Sequence, residues 1–214
     1  MSDLVFRQSQ RVVFIGDSIT DCGRRQPPSA PFGNGYVHFA RAFLLARYPA
    51  LNLDILNRGI GGNTVRDLAA RWDDDVIALR PDWLSVKIGI NDVWRTVAGR
   101  AAEAVPLDEY AATYERLLRR AKEETSARLI LMEPYVIESD RQDAFRALID
   151  QYILVVHRLA EQYGAILIRT QAAFDDALTG QPAAYWAEDR VHPGAPGHAV
   201  IARAFLRGVG YGDT

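Results

Sequence analysis

Ser18, Asp189 and His192 are the residues whose types and placement could carry out nucleophilic chemistry in this chain. Ser18 stands in Gly16-Asp17-Ser18-Ile19, directly after the apolar run Val12-Val13-Phe14-Ile15. A short β-rich run ending in glycine reads as a buried strand that stops at a sharp turn. Ligands of open α/β sheets bind beyond the carboxyl ends of the strands, so the first hydroxyl past that turn is where a nucleophile would be wanted. Serine is also an ordinary turn and helix-capping residue, and the assignment therefore needs partners. Asp189-Arg190-Val191-His192-Pro193-Gly194 offers them. An Asp and a His three apart in a short turn can meet. A buried carboxylate on one ring nitrogen fixes the tautomer and supports the imidazolium, while the other nitrogen faces outward as a base.

Acyl transfer also needs hydrogen-bond donors where the carbonyl oxygen becomes negative. The Ser18 N–H is one candidate. The stretch Asn57-Arg58-Gly59-Ile60-Gly61-Gly62-Asn63-Thr64 offers another in the Gly62 N–H, since clustered glycines let backbone approach a ligand closely. A dinucleotide fingerprint would require glycine where Thr64 stands, so that motif fails and a phosphate role is weak. Asn91, in Gly89-Ile90-Asn91-Asp92, brings a side-chain amide that does not titrate; taken alone it reads equally well as a helix cap. Asp17 competes with Asp189 as the acid, but its place beside Ser18 suits support of the turn. Asp92 reads as a cap or loop anchor. His38, His157 and His198 fall inside expected helices and read as packing residues, and Cys22 has no base motif of its own.

The elements that must position these groups alternate. Strands are expected over 11–16, 51–57, 83–89, 128–133 and 165–168, and helices over 36–48, 64–79 (one or two), 107–123 with Asp108 as cap, 143–163 and 195–209. This β-α repetition predicts a parallel sheet with helices on both faces. Parallel strands bring all their carboxyl ends to one edge, and every stretch above lies there or in the loop before the last helix. Residues 23–35 and 96–107 are the least regular and suit pocket walls or lids.

Bulk properties narrow the partners. The chain has 214 residues, 49% hydrophobic, with net charge −2, which suits one sizeable domain over 1–214. No Lys/Arg cluster dominates a segment, arguing against nucleic acid or an anionic membrane. No apolar run approaches the roughly 20 residues that span a bilayer, and the start, Met1 to Arg7, lacks the basic head and apolar stretch of a secretory signal. A cytoplasmic protein is expected. The single Cys22 cannot form an internal disulfide. Homo-oligomerisation is left open.

Gly16-Asp17-Ser18-Ile19, Gly62, Asn91 and Asp189-Arg190-Val191-His192-Pro193 resemble the four sequence blocks of the SGNH, or GDSL, hydrolases over nearly the whole chain. Ile19 replaces the leucine of the family's name. The longer runs IGDSITDCGR, GNTVRDLAARW, IGINDVWR and TQAAF resemble the subgroup that includes bacterial acetylxylan esterases. The resemblance implies a flavodoxin-like three-layer α/β/α fold with five parallel strands. It implies Ser18 as nucleophile, His192 as base, Asp189 as its partner, and Ser18, Gly62 and Asn91 as oxyanion hole, with neither metal nor organic cofactor. The expected reaction is hydrolysis of acetyl esters on short xylo-oligosaccharides through an acyl-enzyme. Lysophospholipase or acyl-thioesterase action is the nearest alternative, and a non-catalytic binding protein the more distant one. Because the base must be neutral, the rate should rise as pH climbs through about 6–7. Tyr36, Trp94 and Trp186 lie near the motifs and offer flat faces for sugar rings.

Overall fold

Val12, Val13, Phe14 and Ile15 are fully buried in the computed structural model, which describes residues 4–212. The single-domain expectation over 1–214 also takes in residues 1–3, 213 and 214, and the reading of the amino terminus takes in 1–3; these lie outside the described residues. The four apolar residues form the body of β1 (Arg11–Gly16). A strand apolar on both faces needs cover on both, which a parallel sheet receives from its crossover helices.

Four more strands complete the sheet: β2 (Asp54–Gly59), β3 (Trp83–Lys87), β4 (Arg128–Met132) and β5 (Ile166–Ile168). All pair in parallel, in the order β2-β1-β3-β4-β5. The chain therefore leaves β1 in one direction for β2 and crosses back to the other side for β3. The crevice at such a reversal is where open sheets bind ligands, and β1 and β3 are the strands that lead to Ser18 and Asn91.

Nine helices flank the sheet among the described residues: α1 (Ser18–Asp21), α2 (Tyr36–Arg47), α3 (Val65–Ala70), α4 (Ile90–Val97), α5 (Leu107–Glu124), α6 (Ala144–Tyr163), α7 (Thr170–Ala177), α8 (Ala183–Trp186) and α9 (Ala195–Gly208). α2 packs against α9, and together they bring Tyr36 and Phe205 onto Phe14. α3, α4, α5 and α6 pack among themselves as the second layer. The result is the three-layer α/β/α sandwich expected from the sequence. Among the described residues no helix is long and apolar enough to cross a membrane.

Several boundaries differ from expectation for physical reasons. β2 starts at Asp54 rather than at 51, because Pro49–Leu51 form a 3-10 turn and Asn52 takes a left-handed φ of 45°. The 64–79 stretch breaks after α3 into a π-helical turn, Asp73–Ile77. Asp108 lies within the first turn of α5, where its charge suits the helix dipole, while Pro106 occupies the cap position. The 96–107 stretch holds the end of α4 and a 3-10 turn, Ala101–Glu103. Four short helices, α1, α4, α7 and α8, lie outside the expected helical ranges.

Candidate active site

A Cβ at Gly16 would collide with the Lys87 carbonyl oxygen and the Thr20 side chain, so only glycine lets β1 turn this tightly against β3. Asp17 follows, fully buried, and caps α1: its Oδ1 accepts the Ile19 N–H at 3.0 Å. The turn presents Ser18 as the first residue of that helix. Ser18 Oγ lies 2.9 Å from His192 Nε2, although 174 residues separate the two. His192 Nδ1 lies 2.6 Å from Asp189 Oδ2. An ionised carboxylate can only accept, so Nδ1 carries the proton and Nε2 turns its lone pair to the serine. Asp189, not Asp17, is thus the acid that meets the imidazole.

The expectation that this acid is buried is corrected: the Asp189 and His192 side chains are 54% and 57% exposed. Partial burial works to raise the Asp189 pKa. It is outweighed by hydrogen bonds from the His192 ring and from the backbone N–H groups of His192 (2.7 Å) and Val191 (3.0 Å), which hold the carboxyl below its ordinary value. The loop that carries the pair is tied from the side. Arg190, at a left-handed φ of 64°, donates to Glu138 at 2.7 Å and Asp143 at 3.1 Å. The Ile137 N–H donates to the Arg190 carbonyl at 2.9 Å, and the Tyr135 hydroxyl to the Val191 carbonyl at 3.2 Å.

The loop after β2 arches over the serine. A Cβ on Gly61 would stand 3.9 Å from Ser18 Cβ, and the Gly61 N–H donates to Asp21 Oδ2 at 3.0 Å. Gly62 has a φ of 78° and open space where a side chain would be. Among the described residues neither the Ser18 N–H nor the Gly62 N–H has a hydrogen-bond partner. Asn91, in the first turn of α4, spends one amide hydrogen on the Asn63 carbonyl at 2.9 Å and keeps the second. Asp92 accepts the Val65 N–H at 2.9 Å and so anchors the start of α3; burial raises its pKa to about 7.

The three aromatic residues separate. Trp94, 38% exposed, lines a groove of about 410 Å³ with Phe145, Asp143, Asp189 and Arg190. Trp186 lines a depression of about 400 Å³ with Tyr185, Glu188, Asp189, His192 and Pro193. The two tryptophans therefore line separate depressions that share Asp189 in their walls. Tyr36 is corrected: it is fully buried against Phe14, its hydroxyl 3.0 Å from Thr20 Oγ1, and it cannot face a sugar. Tyr185, 53% exposed beside Trp186, is the aromatic that the sequence reading missed.

Cys22 does have a histidine neighbour, contrary to expectation. His198 Nε2 lies 3.2 Å from its sulfur, and the thiol donates to Asn34 Oδ1 at 2.9 Å. Since His198 Nδ1 accepts the Tyr36 N–H, its other nitrogen carries the proton. Burial lowers the His198 pKa to about 4, helped by Lys87 and His192, and burial raises that of the thiol. A neutral imidazole and a protonated thiol make a clasp between the 23–35 loop and α9, not a second nucleophile. Lys87 is another residue that the sequence hid. It is fully buried with its ammonium 4.4 Å from the centre of the Tyr135 ring; burial lowers its pKa and Asp17 opposes the shift. Among the described residues no group of three or more His, Cys, Asp or Glu side chains could hold a metal ion.

The geometry has known counterparts. Residues 14–200 match the GDSL-like lipase/acylhydrolase family model. An acetylxylan esterase from Geobacillus stearothermophilus is 47% identical over 208 residues, covering 94% of each chain. The crystal structure of an acetylxylan esterase from that organism superposes with a TM-score of 0.93 at 45% identity, covering 98% of both chains. Catalytic mutants of the same enzyme, with alanine in place of a serine, a histidine or an aspartate, superpose with TM-scores of 0.92, 0.93 and 0.91. An alpha/beta hydrolase enzyme from the metagenome of Lake Arreo, Spain, is 41% identical with a TM-score of 0.93, covering 99% of this chain and all of that one. A sheet of this order, a serine on its switch-point turn and a match running from β1 into α9 lead to one conclusion: the chain belongs to the GDSL-like lipase/acylhydrolase family.

Proposed function

We propose that the protein is a serine esterase that removes acetyl groups from short xylo-oligosaccharides. The observation that carries the chemistry is the continuous path Ser18 Oγ–His192 Nε2 (2.9 Å) and His192 Nδ1–Asp189 Oδ2 (2.6 Å). Ser18 Oγ attacks the acetyl carbonyl while His192 Nε2 takes its proton. The oxyanion is met by the Ser18 N–H, the Gly62 N–H and the free hydrogen of the Asn91 amide. His192 then hands its proton to the departing sugar oxygen, leaving acetyl-Ser18. Water, deprotonated by the same nitrogen, attacks the acyl carbon, and acetate leaves as Ser18 recovers its proton.

The resemblance to acetylxylan esterases supports the choice of substrate, as do the tryptophans in the two depressions that share Asp189. A long acyl chain would want an apolar trough at the serine. The apolar groove lined by Phe39, Phe43, Leu206 and Tyr211, about 460 Å³, has no triad residue in its wall. A cytoplasmic enzyme would meet short imported sugars, which fits this reading, and cell fractionation tests that location.

Covalent capture of Ser18 by a fluorophosphonate, with loss of both capture and turnover in Ser18→Ala, is the expected result. Retention of most turnover by that variant would end the serine mechanism. Faster hydrolysis of long-chain nitrophenyl esters than of acetylated xylo-oligosaccharides would keep the mechanism and overturn the substrate.

A further inference from the structure

Arg71 makes more side-chain hydrogen bonds near the active site than the catalytic scheme accounts for. Its Nε donates to Asn63 Oδ1 at 2.7 Å, Nη1 to the Arg58 carbonyl at 2.7 Å and to Asp75 Oδ2 at 2.6 Å, and Nη2 to the Gly16 carbonyl at 3.0 Å. The side chain is only 14% exposed, and Asp75 balances its charge. All three nitrogens are engaged in one plane, a set of bonds that lysine, with a single point of charge, cannot reproduce.

The acceptors matter because of where they lie. Gly16 is two residues before Ser18. Arg58 and Asn63 bracket the loop that carries Gly62, and the Asn63 carbonyl holds the Asn91 amide. The β1–β2 ladder ends at the Gly16–Gly59 pair; past it the Ile60 N–H still donates to the Gly16 carbonyl at 3.1 Å and the Gly61 N–H to Asp21 Oδ2 at 3.0 Å, but among the described residues no backbone bond from Gly62 or Asn63 reaches the serine turn. Yet three donors from behind three different strands must converge on one oxygen at about 2.7–3.1 Å. Arg71 carries the tie on from the Gly16 carbonyl to Asn63.

We propose that Arg71 is a positioning residue of the oxyanion hole: its guanidinium fixes the Ser18 turn against the Gly62–Asn63 loop and, through Asn63, orients Asn91. It touches no reacting atom. The assignment rests on Ser18 being the nucleophile.

The test is Arg71→Met, read by kcat and KM on 4-nitrophenyl acetate, by the pH–rate profile, and by combination with Asn91→Ala. The expected loss in kcat is on the order of 10²-fold, at the scale of losing one oxyanion donor. KM should stay within threefold and the pH midpoint should not move, since the triad is untouched. Because Arg71 acts partly through Asn91, the double variant should lose less than the product of the two single losses. A kcat within threefold of the parent, a change confined to KM, or fully multiplied losses would each overturn the proposal. Should Arg71→Met not fold, Arg71→Lys is read by the same criteria; failure of both to fold would make Arg71 a folding residue and overturn it too. The two readings fail separately. A parent enzyme whose Ser18 resists fluorophosphonate refutes the nucleophile, whereas a labelled parent with an undiminished Arg71→Met refutes only the positioning role.

Discussion

Asp189→Asn separates what the carboxylate does for the loop from what it does for the proton. Asp189 Oδ1 accepts two backbone N–H groups, at 2.7 and 3.0 Å, and an asparagine carbonyl can keep both. Oδ2 accepts from His192 Nδ1 at 2.6 Å, and there asparagine must present an NH₂. Two donors cannot share that bond, so the ring takes the tautomer with its proton on Nε2, facing Ser18 with no lone pair for the hydroxyl hydrogen. The imidazolium of the transition state also loses its counter-charge. A wrong tautomer in an otherwise intact triad costs about 10⁴ in kcat, or roughly 5.4 kcal/mol at 1.36 kcal/mol per decade. With the turn preserved and the side chain 54% exposed, unfolding temperature should shift by only a few degrees. Steady-state hydrolysis of 4-nitrophenyl acetate and a thermal melt suffice. A variant keeping more than a tenth of the parental kcat would refute the tautomer argument.

Other expectations are more local. Asn91→Ala should lower kcat by roughly 10²–10³ with little change in KM, as measured on the same ester; an unchanged kcat would remove Asn91 from the oxyanion hole. Arg190→Gly relieves a left-handed residue at a gain of about 1–2 kcal/mol and gives up two partly exposed ion pairs worth about 0–1 kcal/mol each. Chemical denaturation should therefore find the variant between about 1 kcal/mol less and about 2 kcal/mol more stable than the parent, and less sensitive to salt. Asp92, raised by burial from an ordinary 3.8 to about 7, binds its proton more tightly folded than unfolded. Its contribution to stability is full below about pH 4 and lost as pH rises through 7. Asp92→Asn, which keeps an acceptor for the Val65 N–H, should flatten the fall in melting temperature between pH 5 and 8; a slope as steep as the parent's would show that Asp92 is not its source.

The core of the fold was readable because buried parallel strands need continuous apolar runs, and Val12–Ile15 and Leu129–Met132 are such runs. The places where reading failed share a cause. Ile90–Val97 and Thr170–Ala177 start directly on strand ends, so their first residues look like turn residues. The serine, the histidine and the glycine loop could be found because their chemistry is unusual at such positions. Tyr36 was misjudged because nearness in sequence to the motif says nothing of which side of a helix faces the sheet. Lys87 carried no signal, and Arg71 none beyond its place in the run GNTVRDLAARW. One looks like the polar end of a strand and the other like a surface helix residue, and only tertiary packing draws them inward.

The 174-residue gap between Ser18 and His192, the nucleophile and base of the proposed mechanism, has a consequence for biosynthesis. At about 5–20 residues per second, translation delivers the serine roughly 10–35 s before the imidazole. A nascent chain with all five strands already made is still inert, because β5 closes at Ile168, well ahead of His192. In the proposed mechanism hydrolytic competence arrives with the closing segment alone, and a chain cut short before Asp189 would lack the base and its acid while keeping every strand of the sheet.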